Sequence, residues 1–219
     1  MRLIVVGSGI AGASCAYAAS SLGAEVVLVD AAKPGQATAA GAGIICPWSA
    51  QVADPAWCAL AYAAARQYPA LAARLADLGE TDVGYRQVGA LALAEREEDR
   101  EQIRQALLAR RAAAPEIGEV AVLPGADAQR LFPPLRADAA AVYIGGAARV
   151  GFRPMGPGIR PLLGPVPGLD GLVVATGLGA SGLTIGPLAG ALAAQAALGL
   201  PPAIDLEPFA PLPGPAGSR

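Results

Sequence analysis

Residues 3–12 read Leu-Ile-Val-Val-Gly-Ser-Gly-Ile-Ala-Gly, and this stretch decides the fold of the chain. The branched apolar run at 3–6 predicts a parallel strand that is buried on both faces. The Ala-rich segment 13–21 predicts a helix, and the apolar segment 24–29 predicts a second buried strand that leads into Asp30. The order of these elements is strand, glycine loop, helix, strand and acid. This order predicts an α/β fold of the Rossmann type that binds a dinucleotide.

Each glycine of the loop has its own physical reason. Gly7 permits the tight turn out of the first strand, and Gly9 lets a pyrophosphate approach the backbone closely. Gly12 lets the helix pack near the strands. Ile10 and Ala11 open the helix, where unpaired N–H groups and the positive end of the helix dipole attract phosphate. The loop is therefore predicted to hold the phosphates of a cofactor.

Asp30 stands at the carboxyl end of the second predicted strand. Its carboxylate can accept hydrogen bonds from the two hydroxyls of an adenosine ribose. Its charge disfavours a 2′-phosphate, so FAD or NAD is expected rather than NADP. The alternative is an ordinary strand–turn–helix in which Asp30 is a surface residue.

The composition of the chain limits its function further. Of the 219 residues, 54% are hydrophobic and 16% are charged, which predicts a sizeable core in one or two domains. The 16 basic and 18 acidic residues give a net charge of −2, which argues against a nucleic-acid partner. The chain has no histidine, which excludes a Ser-His-Asp triad, a Cys-His dyad and a His-ligated metal. We expect no metal site.

Cysteine usage bears on the compartment. The three cysteines show no CxxC spacing, which argues against a disulfide scaffold and favours a reducing, cytoplasmic location. Cys46 is either a redox thiol or a packed core residue, and the burial habit of cysteine favours the second.

Two long uncharged runs, 3–24 and 171–204, could be mistaken for export or membrane signals. The first has the pattern of a signal peptide, but its removal would destroy the glycine loop. The second is interrupted by glycines and by Pro187. Its helix-like part at 187–198 is shorter than the ~20 residues that a membrane span needs. We therefore expect no transmembrane segment.

Segments beyond Asp30 carry a family resemblance. Residues 34–47 resemble the small-residue segment of the D-amino-acid oxidase superfamily, which includes glycine oxidase, sarcosine oxidase and the D-amino-acid dehydrogenases. Near the C-terminus, 151–155 resembles the substrate-contacting strand of that family and 160–169 the loop after it. Residues 173–177 resemble the last strand of the FAD domain, and 177–184 the glycine-rich turn into the final helix.

The resemblance implies a chemistry and a set of residues. Members of this superfamily bind FAD and oxidise an amine carbon by hydride transfer to the flavin. The expected substrate is a small amine or amino acid, and the electrons pass to oxygen or to a respiratory or other acceptor. Hydride transfer from a neutral amine needs no protein acid or base, so we assign no catalytic side chain. The resemblance assigns FAD binding to Gly7, Gly9, Ile10, Ala11, Gly12, Asp30, Thr38, Gly41, Gly43, Gly177, Gly179, Ser181, Gly182, Leu183 and Thr184.

The resemblance assigns substrate contacts to Arg153 and Ile44, and the chain departs from the family pattern beside them. Leu178 stands where the family usually has a polar residue, often histidine. Ala180 stands where members similar to glycine oxidase carry arginine. Recognition of a substrate carboxylate would then rest on Arg153 alone.

The chain is shorter than the family norm, and the join lies near residues 150 and 151. Either the protein carries a deletion or the sequence lacks an internal segment. We expect an FAD-binding domain at 1–80 and 151–204, with a reduced or missing antiparallel substrate domain. Residues 81–150 would be the remnant of that substrate or cap region, and 205–219 a tail rich in Pro and Gly.

Further elements are predicted between the two ends of the chain. Helices are expected at 55–78, 95–113 and 126–131, and strands at 84–94 and 139–144.

Three functions remain open at this point. The favoured one is an FAD-dependent amino-acid or amine oxidase or dehydrogenase. The second is a flavin-binding fragment or subunit without its own activity, because the substrate domain is reduced. The third is an NAD-dependent Rossmann protein, which would need a second half of alternating strands and helices.

Overall fold

The structure is a computed structural model that describes residues 1–33, 36–39, 41, 43–50, 52–81, 83–94, 96–136, 138–146 and 160–211. It divides into two units. The first, which we call the glycine-loop unit, contains Met1–Gly43, Val52–Gln67 and Gly151–Arg219. The second, which we call the sheet unit, contains Ile44–Gln51 and Tyr68–Val150.

The glycine-loop unit begins as the sequence predicts. Strand β1 (Arg2–Val6) is followed by helix α1 (Ile10–Ser21) and strand β2 (Glu25–Val29). The two strands pair in parallel, from Arg2 opposite Glu25 to Val6 opposite Val29. The strand–helix–strand prediction is therefore confirmed.

The prediction that these strands are buried on both faces is wrong in part. Val5 is 7% exposed, and it faces α1, because a Cβ on Gly12 would lie 3.6 Å from its side chain. On the other face, Ile4 is 63% and Val6 is 83% exposed. The physical reason is that α1 covers one face of the β1–β2 pair, whereas no described residue buries Ile4 or Val6 on the other.

Helix α2 (Pro55–Asp77) follows the prediction closely and contributes residues to both units. Asp54 caps its first turn, since its Oδ1 accepts a hydrogen bond from the Trp57 amide at 2.8 Å. Its Oδ2 accepts two hydrogen bonds from Arg160, at 2.7 and 2.9 Å. Arg160 therefore lowers the pKa of Asp54, and the pair ties the start of α2 to the segment before the next strand of this unit.

The C-terminal part of the glycine-loop unit forms a second small sheet. Strands β6 (Leu162–Pro165) and β7 (Val173–Thr176) pair antiparallel and lead into helix α5 (Gly182–Ala197). The last strand and the final helix confirm the prediction. The expectation of a loop at 160–169 is wrong for β6, because Leu163 is fully buried and this segment finds its ladder partner in β7.

Helices α1 and α5 pack through glycine. A Cβ on Gly186 would lie 2.6 Å from Cγ2 of Ile10, and one on Gly190 would lie 2.6 Å from the Cys15 amide nitrogen and overlap the Ala11 carbonyl oxygen. The contacts advance along both helices in the same direction. The two helices therefore run parallel, and their N-termini lie at the same end.

The sheet unit is an antiparallel sheet with its own helices. Strands β3 (Ala90–Leu93), β4 (Val120–Leu123) and β5 (Ala141–Ile144) form a sheet in the order β3-β5-β4. Helices α3 (Glu97–Arg111) and α4 (Gly125–Leu131) belong to the same unit, together with the C-terminal part of α2. The strand predicted at 84–94 is shorter in the structure, where it is β3. The sequence analysis did not predict β4.

Short 3-10 turns lie at Pro47–Ser49, Pro115–Ile117, Gly179–Ser181 and Glu207–Phe209. The first of these is held within the sheet unit by Arg110, which donates hydrogen bonds to the carbonyl oxygens of Trp48 and Ala50. Cys46 precedes this turn and is 7% exposed, and burial raises the pKa of its thiol. The prediction that Cys46 is a packed core residue is confirmed.

Among the described residues, no helix combines the length and apolar character that a membrane crossing requires.

The packing of α1 on α5 predicts that alanine at a contact glycine lowers the stability of the protein, which is the opposite of its usual effect in a helix. Replacing a helical glycine with alanine ordinarily stabilises by roughly 0.5–1 kcal/mol. We expect Gly190→Ala to lower the free energy of unfolding by about 1–3 kcal/mol instead, because the added methyl group meets the backbone of α1. Urea unfolding followed by circular dichroism measures this.

Gly182→Ala is the matched control, since its Cβ would lie 3.7 Å from the Leu178 side chain, an ordinary contact. Equal stability of the Gly190→Ala and Gly182→Ala variants would contradict the close approach of the helices.

Candidate cofactor-binding site

The glycine loop has the conformation that its sequence requires. Gly7 adopts a φ of 100°, which favours glycine, and its amide donates a hydrogen bond to the Val29 carbonyl oxygen at 2.7 Å. A Cβ on Gly12 would overlap the Gly7 carbonyl oxygen. The loop therefore turns directly from β1 into α1, with β2 fixing its start.

The first turn of α1 is capped by a residue from a distant segment. Gly9 occupies the N-cap position and has no side chain to offer. The Ile10 amide instead donates a hydrogen bond to Oγ1 of Thr38 at 2.9 Å. A Cβ on Gly9 would lie 3.2 Å from that same oxygen. Thr38 thus lies directly against the loop that the sequence assigns to phosphate.

Asp30 contacts the loop at Ser8. Its Oδ2 accepts a hydrogen bond from the Ser8 amide at 2.6 Å, and its Oδ1 accepts one from the Ala32 amide at 2.6 Å. Gln36 adds a third through its side-chain amide, at 3.2 Å. The hydrogen bonds from the Ser8 amide first and the Ala32 amide second lower the pKa of Asp30. The carboxylate is therefore ionised near neutral pH.

The charged group retains capacity for a ligand. The Ser8 hydroxyl also contacts the carboxylate, but Asp30 is exposed, so a ligand hydroxyl can exchange with one of these donors. Ala32 has a φ of 48°, in the left-handed region that non-glycine residues rarely adopt. Sequence reasoning did not find Gln36, because no spacing rule marks an amide six residues after the acid.

Gly41 connects the Thr38 segment to the start of α5. Its amide donates a hydrogen bond to the Thr38 carbonyl oxygen at 3.2 Å. A Cβ on Gly41 would lie 2.7 Å from Cδ1 of Leu183. Gly43 follows with a φ of 74°. The structure thus brings three predicted segments together: the glycine loop, the segment around Thr38 and the first turn of α5.

The turn into α5 is also built on glycine. Gly177 and Gly179 have φ values of 69° and 56°, which place both in the left-handed region. Ser181 is the N-cap of α5 but makes no side-chain capping hydrogen bond, and Gly182 is the first helical residue. Thr184 is 2% exposed and belongs to the core.

Ile44 and Arg153 are the two predicted substrate residues. Ile44 is 41% exposed and belongs to the sheet unit. Arg153 and the join near residues 150 and 151 lie outside the described residues. The substrate contacts of Arg153 and Ile44 stay predictions.

These residues fit a dinucleotide. Two helix N-termini, each equivalent to roughly half a positive charge, lie at one end of a parallel helix pair. The backbone between them carries glycine where a Cβ would fill the space beside Thr38 or strike Leu183. An ionised carboxylate stands at the end of β2. The arrangement suits a pyrophosphate at the helix ends and a ribose near Asp30.

Comparison with known families agrees with this geometry. The sequence model of the DAO family, described as "FAD dependent oxidoreductase", matches residues 2–150 and 126–196. The uncharacterized oxidoreductase YurR of Bacillus subtilis (strain 168) is 42% identical over 150 residues, which are 68% of this chain and 40% of YurR. Glycine oxidase of Pseudomonas aeruginosa is 44% identical over 61 residues, 28% of this chain and 17% of that enzyme. The chain thus spans less than half the length of these curated relatives.

Solved structures show the same fold. Iminodiacetate oxidase from Chelativorans sp. BNC1 superposes with a TM-score of 0.90 at 27% identity, over 96% of this chain and 99% of that chain. Glycine oxidase from Geobacillus kaustophilus superposes with a TM-score of 0.76 at 17% identity, over 95% and 98% of the two chains, which is a likeness of fold. The resemblance, the α/β fold and FAD as the cofactor are confirmed, and the NAD alternative is set aside. The chain belongs to the DAO family of FAD-dependent oxidoreductases.

Proposed function

We propose that this chain holds FAD across the N-terminal ends of α1 and α5 and oxidises the amine carbon of a small amino acid or amine. One observation carries the proposal. Gly186 and Gly190 pack α5 against Ile10 and the residues after it, so that both helices present their N-termini at one end. Thr38 contacts the start of α1 at that end, and Gly41 contacts Leu183 at the start of α5.

The glycine loop would take the pyrophosphate. The Ala11 and Gly12 amides belong to the first turn of α1, whose N–H groups lack partners within the helix. The positive end of the helix dipole favours an anion there. Asp30, which is exposed at the end of β2, would accept hydrogen bonds from the adenosine ribose in place of some of its present donors. The other assigned cofactor contacts, in the segment 38–43 and at the start of α5, are part of the same proposal.

The start of α5 would lie against the isoalloxazine ring. When bound, FAD supplies an acceptor for a hydride from the amine carbon. The Gly182 amide donates a hydrogen bond to the Gly179 carbonyl oxygen, so we assign this role to the helix dipole of α5 and not to that amide. The positive end of the dipole would stabilise negative charge on a reduced ring, and no titratable side chain of the chain is required for this role.

The substrate class rests on the relatives and on one arginine. The solved relatives are named as oxidases of iminodiacetate and of glycine, which both carry a carboxylate. We assign the carboxylate contact to Arg153, because guanidinium binds carboxylate through two parallel hydrogen bonds. Ile44 would supply an apolar wall. Oxygen or another acceptor would reoxidise the flavin, and a cytoplasmic location stays a prediction.

A second candidate is a flavin-binding subunit without its own turnover. Its support is that the chain spans 40% of YurR. In both cases we assign the FAD-binding domain to 1–80 and 151–204, the remnant of the substrate region to 81–150 and the tail to 205–219.

Flavin binding is tested at Gly9. We expect Gly9→Val to abolish FAD binding, because its side chain would fill the space beside Thr38 that the pyrophosphate needs. Gly9→Ala should be intermediate. The measurement is the visible spectrum and flavin content of the purified variants, with Ser20→Val, an exposed change on α1, as the control. Normal flavin content in Gly9→Val would exclude this loop as the cofactor site.

Turnover is tested at Arg153. We expect Arg153→Lys to reduce kcat/KM for an amino acid by about tenfold or more while sparing the corresponding decarboxylated amine, because lysine cannot copy the two-point contact. Flavin content should not change. An equal loss for both compounds would remove Arg153 from the substrate site. Bound flavin that no amino acid or amine reduces under anaerobic conditions would favour the subunit.

A further inference from the structure

Two side chains hold alternate amides of the glycine loop. Oδ2 of Asp30 accepts a hydrogen bond from the Ser8 amide at 2.6 Å, and Oγ1 of Thr38 accepts one from the Ile10 amide at 2.9 Å. Gly9, between them, contributes no side chain. The conformation of the loop is therefore held from outside, by residues of the segment that follows β2.

The Ile10 contact is a helix cap supplied in an unusual way. The first amides of an α-helix have no partner within the helix, and an N-cap side chain ordinarily accepts one of them. Here the cap position is glycine, and the acceptor comes from 28 residues further along the chain. The cap therefore makes the conformation of the first turn of α1 depend on the conformation of the segment around Thr38.

The same contact selects which amides face a ligand. Thr38 occupies the Ile10 amide, while Ala11 and Gly12 follow in the same first turn. A hydroxyl that accepts one hydrogen bond can still donate another. Thr38 therefore fixes the first turn of α1 through the Ile10 amide. Its own O–H can still act as a donor at the edge of the glycine loop.

We propose that Thr38 is a positioning residue that caps α1 before the cofactor arrives and so prepares the loop for the pyrophosphate. This inference rests on the proposed function for its ligand, but the cap itself exists in the flavin-free protein. Without the hydroxyl, the first turn of α1 frays, and FAD has to order it on binding.

The experiment compares three variants of the full chain. Thr38→Val keeps the shape but removes the acceptor, Thr38→Ser keeps the hydroxyl, and Thr81→Val is the control at an exposed threonine. In flavin-free protein, amide hydrogen exchange at Ile10, followed by NMR, should be at least about fivefold faster in Thr38→Val, the factor that loss of an N-cap implies. Thr38→Ser and Thr81→Val should exchange at the rate of the unmodified chain.

Cofactor affinity gives the second measurement. The FAD dissociation constant of Thr38→Val should rise by about the same factor, because a loop that is ordered only part of the time binds in proportion to its ordered fraction. Thr38→Ser should restore the affinity. A merely structural role would not be rescued by a hydroxyl on a smaller side chain.

Each outcome decides the proposal. Unchanged exchange at Ile10 in Thr38→Val overturns it, and so does a Thr38→Ser variant that behaves like Thr38→Val. Faster exchange at Ile10 with unchanged FAD affinity also overturns the proposal, because the cap would then not contribute to FAD binding. If the unmodified chain binds no FAD, the proposed function fails, while the exchange rates still show whether the cap exists.

Discussion

The close packing of α1 on α5 is the contact on which the rest of the glycine-loop unit depends. Gly186 and Gly190 give α5 a surface without side chains, and Ile10, Ala11 and Cys15 of α1 lie against it. Helices that approach through glycine place their backbones nearer to each other than side chains ordinarily permit. This contact connects the N-terminal strand–helix–strand segment to a helix from the C-terminal part of the chain.

The direction of that packing has an electrostatic consequence. Because the helices run parallel, their positive ends lie together and their fields add over the loop between them. Asp30 and Thr38 then hold the Ser8 and Ile10 amides, so that the loop has one conformation before any ligand binds. A site built of backbone amides needs such fixed geometry, since its strength comes from dipoles that are already oriented.

One face of the N-terminal β1–β2 sheet stays exposed. The sequence of β1 is typical of a strand buried on both faces, yet Ile4 and Val6 are exposed on the face opposite α1. A pattern of branched apolar residues indicates that a strand is suited to burial on both faces. How much burial the strand receives depends on the elements that pack against it.

The sequence by itself determined the local elements and their order. The run of branched residues, the spaced glycines and Asp30 predicted β1, α1 and β2, because backbone conformation there depends on residue type over a few positions. It also predicted the last strand, the final helix and the family. The sequence predicts a loop at 162–165, where the structure has β6, because a short strand forms only beside its partner β7.

Only the tertiary structure decided which residues meet. That Thr38 caps α1, that Gly41 lies against Leu183 and that Gln36 reaches Asp30 all depend on contacts between distant segments. Nothing in residue spacing encodes these pairs, because loop paths are set by the packing of the elements that they connect. The sequence thus determined which glycines and which acid form a cofactor loop, and the packing of α5 on α1 decided the geometry in which they face a ligand.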